Sequence, residues 1–116
     1  MISSKSFYSI CLIFALSGNI YAQECVYPDL VEIPDGSSAS LEDMVAGQGN
    51  IRQFVSDMNY YQDCINASLE VEGDDATDEF RAIMIGRFNA VATEIEAVAA
   101  AFNEQRLAFL ATAATP

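Results

Sequence analysis

Between Leu41 and about Val71, the apolar residues Met44, Ile51, Phe54, Val55, Met58, Tyr61, Ile65 and Leu69 recur at intervals of three and four. Glu42, Asp43, Arg52, Asp57, Asp63 and Glu70 fall mostly between them. That period predicts an amphipathic helix over about 41–71. Gly47 and Gly49 each weaken its first third by about 1 kcal/mol relative to alanine, which predicts a break or a close backbone contact there. Downstream, Met84, Phe88, Val91, Ile95, Val98, Phe102 and Phe109 alternate spacings of four and three, and the run is interrupted only by Gln105. This heptad pattern predicts a second helix over about 77–111. Alanines at 90, 92, 97, 99, 100 and 101 favour helix and let a neighbour approach closely. The Ala/Thr-rich tail after Leu110 is expected to fray.

The segments around the helices read differently. Cys25 to Gly36 contains Pro28 and Pro34 and ends in Pro34-Asp35-Gly36, a turn signal, so residues 23–40 are predicted to be an extended arm. Ser38 or Ser40 offers the N-cap of the first helix, and Asp43 completes an approximate capping box with Ser40. Between the helices, Glu70, Glu72, Asp74, Asp75, Asp78 and Glu79 surround Gly73. Their spacing does not fit a twelve-residue calcium loop, and an acidic turn at about 72–76, complementing the next helix N-terminus, is the favoured reading.

A reversal near Gly73 makes the fold class all-α: an antiparallel, coiled-coil-like two-helix hairpin over 41–116. The implied register brings Val91 toward Val55, Ile95 toward Ile51 and Phe102 toward Met44.

Ahead of the arm, Lys5 precedes an apolar run over 7–16, followed by Ser17-Gly18-Asn19 and Ile20-Tyr21-Ala22. This is the polarity gradient of a secretory signal peptide over 1–22, with cleavage between Ala22 and Gln23, and the run is too short to span a bilayer. Ala22-Gln23-Glu24 before Cys25 lacks the small-residue box of a lipid-modified cysteine, so a soluble product in the periplasm or outside the cell is expected. The full chain carries a formal charge of −12. Losing Lys5 with the signal makes this about −13, which disfavours nucleic acid and anionic lipid surfaces as partners. Glu94 and Glu96 argue against a lipid-buried second helix, so no stable membrane insertion is expected.

Cleavage leaves two cysteines, Cys25 and Cys64, which in an exported chain invite a single disulfide. A free thiol pair or a metal site is the alternative, and the absence of histidine weighs against the metal. Some 24 residues of helix between Ser40 and Cys64 span roughly 36 Å, and the 15-residue arm reaches about 50 Å. The arm can therefore run back along the hairpin, with Val26, Leu30, Val31 and Ile33 as candidates for a third apolar layer.

Without histidine there is no Ser-His-Asp, Cys-His or His-Glu-x-x-His constellation. Gly47-Gln48-Gly49 lacks the third glycine and preceding strand of a phosphate loop, and a narrow hairpin offers paired carboxylates no cleft. No catalytic residue, cofactor or metal site is assigned. Asn66-Ala67-Ser68 matches a glycosylation acceptor but lies within a predicted helix. Tyr60 cannot share Tyr61's face, and Phe80, Ile83, Ile85 and Leu107 lie beside the second stripe. Tyr60, Phe80, Ile85 and Leu107 are the candidate interaction surface. The expectation is a non-enzymatic interaction protein that binds another envelope protein or self-associates. The alternatives are a chaperone-like or apolar-ligand-binding protein, using Met44, Met58 and Met84, and an acidic antagonist of a cationic partner.

Cys25 with Pro28 and Pro34-Asp35-Gly36, then Tyr61-Gln62-Asp63-Cys64-Ile65, then Phe102-Asn103-Glu104-Gln105 with Phe109, resembles a group of short exported proteobacterial proteins of no assigned activity. The resemblance covers most of the chain after the signal and implies the same cysteine pairing. It brings no catalytic residue.

Overall fold

The computed structural model describes residues 25–114; the expected signal peptide over 1–22 and its expected cleavage between Ala22 and Gln23 lie outside the described residues. Helix α1 spans Leu41–Glu72, a single 3-10 turn spans Gly73–Asp75, and helix α2 spans Asp78–Ala113. The two helices pack side by side as an antiparallel hairpin. Residues 25–40 form the extended arm, which ends in a turn at 36–38.

Ser40 begins α1. Its hydroxyl accepts from the Asp43 amide at 3.0 Å, and Asp43 Oδ2 accepts from the Ser40 amide at 3.1 Å, a complete capping box. α1 ends at Gly73, whose φ of 53° stops the helical path. The last turn of α1 contains Glu70 and Glu72 and no basic residue, an unfavourable match to the helix dipole. Arg81 of α2 supplies the missing positive charge by donating to the Gly73 carbonyl. Thr77 caps α2, its hydroxyl accepting from Phe80 N at 3.0 Å, while Asp78 and Glu79 occupy the first turn. The acids near the reversal thus complement the dipole, but a threonine makes the cap. α2 continues three residues past Leu110, because alanine favours helix and Thr112 Oγ1 donates to the Ala108 carbonyl.

The core is the meeting of the two stripes: Phe54, Met58, Tyr61 and Ile65 against Met84, Val91 and Val98, with Met58, Ile65 and Val91 fully buried. Gln62 Nε2 donates to the Phe88 carbonyl across the interface at 3.1 Å. A Cβ on Gly47 would lie 3.6 Å from Phe102 Cε2. These pairs set the register about one helical turn from the predicted one, although Phe102 and Met44 still line a common pocket. The cause is the reversal, which is centred beyond Gly73 on the 3-10 turn and Ala76.

Candidate functional site

The arm gives the hairpin two unlike sides. Cys25 is bonded to Cys64, with Cα atoms 5.6 Å apart, which anchors the arm on α1 eight residues before that helix ends. Ser68 Oγ donates to the Cys64 carbonyl at 3.0 Å and lies 3.6 Å from Cys25 Sγ, so the serine of the glycosylation-like triplet is packed beside the bridge. Tyr27 stands edge-on to Tyr61, ring centroids 5.2 Å apart. Burial, the nearby Glu94 carboxylate and Tyr61 together push the Tyr27 hydroxyl above the usual tyrosine value. Tyr27 thus packs on α1, with a carboxylate of α2 near enough to act on its hydroxyl.

From there the arm runs antiparallel to α1. Val31 and Ile33 pack against the core, whereas Val26 is 80% and Leu30 78% exposed. The expected four-residue apolar layer is therefore two residues deep. An extended chain turns successive side chains to opposite sides, so the odd-numbered residues Val31 and Ile33 face in and the even-numbered Val26 and Leu30 face out.

The arm's far end is locked twice. Pro34 seats on Gly47, where a Cβ would fall 2.8 Å from Pro34 Cγ. Gly36 is buried against α2, and its amide donates to Gln105 Oε1 at 2.9 Å. Asp35 organises the turn between these contacts and the first helix. Its Oδ1 accepts from the Ser37 amide and hydroxyl at 3.0 and 2.6 Å, and those bonds hold its carboxyl below the usual aspartate range.

The four candidate surface residues do not form one patch. Tyr60 is 78% exposed and lines an open groove of about 550 Å³ with Val26, Tyr27, Pro28, Asp29 and Asp57, beside the disulfide. Ile85 and Leu107 are both about half exposed, but 22 residues of α2, roughly 33 Å, separate them. Phe80 is withdrawn from the surface, packed in part against the core near the reversal.

The side of the hairpin away from the arm was not singled out from the sequence. There Leu41, Val45 and Leu110 remain exposed around an apolar pocket of about 280 Å³ that also takes in Met44, Phe102 and Phe109. The signal that could have found it is a second four-three line on each helix, one position round from the core stripe. It runs from Leu41 through Val55 to Asn66 on α1, and from Arg81 through Ile95 to Phe109 on α2, with Leu110 at its edge.

Among the described residues, no group of three or more His, Cys, Asp or Glu side chains is placed to hold a metal ion. No described helix is long and apolar enough to cross a membrane. No family model, curated protein or solved structure matches the chain.

Proposed function

We propose that this is an exported, non-enzymatic protein whose role is to bind another protein of the cell envelope or a further copy of itself. The observation that supports it most directly is apolar surface left over once the hairpin core and arm are packed. Leu41, Val45, Ile85, Leu107 and Leu110 are all at least half exposed on helices already held by caps, a disulfide and the arm. Leu41, Val45 and Leu110 among them gather round the apolar pocket with Met44, Phe102 and Phe109, and a contiguous exposed apolar patch of that kind supports an interaction surface. The disulfide is compatible with an oxidising compartment.

Crosslinking capture from native envelope extract, with Cys25→Ser as the control, tests this reading. One stoichiometric crosslinked species, another envelope protein or the chain itself, weakened in the control, supports it. No discrete species overturns it, and a diffuse set of clients would favour a chaperone-like role.

A further inference from the structure

The hairpin side without the arm differs in charge from the rest of the molecule. The chain has 17 acidic and five basic residues. Yet neither four-three line on this side contains a carboxylate, and together they hold three of the four arginines, Arg52, Arg81 and Arg106. Carboxylates come to its rims, at Asp63, Glu70 and Glu96, and to its ends, at Glu42 beside Leu41 and at Asp78 where α2 begins. The arm side is the opposite, since Asp29, Glu32, Asp35, Asp43, Asp57 and Glu94 lie along or beneath the arm.

We propose that this carboxylate-free side is the interface for a second copy of the chain, two hairpins packing face to face into a four-helix bundle with both arms outward. The proposal rests on the interaction reading above and names its partner. Two chains this acidic repel each other in most orientations, and like charges set directly opposite cost several kcal/mol. This is the side through which copies can meet without apposing acids. In such a pair the exposed Arg52 and Arg106 of one copy face a partner whose carboxylates lie along its rims.

The shape also suits a helical partner. Ala92 and Ala99 are exposed at the middle of the α2 line, where small side chains admit a close approach, with half-buried Phe88, Ile95 and Phe102 alternating with them. Two helices about 48 Å long and roughly 9 Å apart present a face of about 800 Å², which matches one side of a standard stable interface.

Sedimentation equilibrium of the purified, oxidised protein across the micromolar range tests the proposal. The unmodified chain should sediment at twice its chain mass. Ala99→Glu places one extra carboxylate per copy in the interface without touching the monomer core, and should weaken the dimer roughly a hundredfold while helicity is unchanged. Ala97→Glu, exposed and about 200° round α2 from Ala99, should leave the dimer intact. A monomeric unmodified chain, or an Ala99→Glu dimer of unchanged strength, overturns the proposal. A monomer that still gives a stoichiometric crosslink to another envelope protein overturns only the second copy; a monomer with no crosslink removes the interaction reading as well.

Discussion

The amide of Gly36 donates to Oε1 of Gln105 at 2.9 Å, joining the one buried residue of the arm to the one polar residue in the heptad stripe of α2. Each explains the other. The glutamine interrupts an apolar run because a buried arm amide needs an acceptor there. The glycine is required because a Cβ at 36 would sit 1.7 Å from the Gln105 carbonyl oxygen. Gln105→Leu, which would perfect the stripe, should instead destabilise the protein by about 1 to 3 kcal/mol by stranding that amide. Gly36→Ala should expel the end of the arm at a comparable or larger cost. Denaturant unfolding gives the magnitudes, and amide exchange at Gly36 should accelerate in Gln105→Leu ahead of global unfolding.

The glycines of the two helices separate by environment. Gly49 and Gly86 have no neighbour that a Cβ would meet, so Gly49→Ala and Gly86→Ala should each stabilise by about 0.5 to 1 kcal/mol through helix propensity. Gly47→Ala gains the same propensity but drives a methyl into the Pro34 ring. It should show no gain or a net loss. A thermal melt of the three variants reads the contrast, and an equal gain in all three would show that Pro34 is not seated on Gly47.

The covalent tether closes a loop with a sequence separation of 39, for which the chain-entropy relation gives roughly 3 to 4 kcal/mol. Cys25→Ser should lower stability by about that amount, and reductant should have no further effect on the variant. Intact mass with and without reductant checks the bond itself, and two free thiols in natively produced protein would contradict it.

Tyr27 supplies a pH signature. Its folded-state pKa is raised, so the folded state holds the phenolic proton more tightly than the unfolded state does. The associated stability is complete below the usual tyrosine value of 10.0 and is lost as pH rises from there through the folded-state pKa. Stability in Tyr27→Phe should therefore fall less steeply above that point. Glu94→Gln should bring the Tyr27 titration back toward its usual value, read by phenolate absorbance.

What could be read from the chain differs by element, for physical reasons. The hairpin was legible because Met44, Phe54, Met58, Ile65, Val91 and Val98 repeat at helical period, and only a partner helix can bury such stripes. The Ser40 cap was legible from local chemistry, and the Cys25–Cys64 bond from the two cysteines that remain after the expected signal. The arm's facing was not, because Val26, Leu30, Val31 and Ile33 look equally apolar until one inward contact fixes the phase of an extended chain. Pro34-Asp35-Gly36 read as a turn, and it is one, but Gly36 is a glycine for packing against α2, a tertiary demand no local pattern carries. The register slipped by about a turn because the length of the reversal depends on how Gly73 and Arg81 close it. The four surface residues Tyr60, Phe80, Ile85 and Leu107 were chosen as apolar positions off the main stripes, and that criterion carries no information on whether they lie together in space.

The position of the bridge also has a mechanical consequence. Tension applied between the two ends of the chain enters at Cys25 and crosses directly to Cys64, so the arm and the first 23 residues of α1 lie outside the load path. The force then pulls the end of α1 and the end of α2 in opposite directions along their shared interface, which loads those contacts in shear, all at once. Without the sulfur bridge the same pull would pass through the arm along its length and on into the start of α1. The tether therefore takes the arm out of the line of force and leaves the helix interface to bear it.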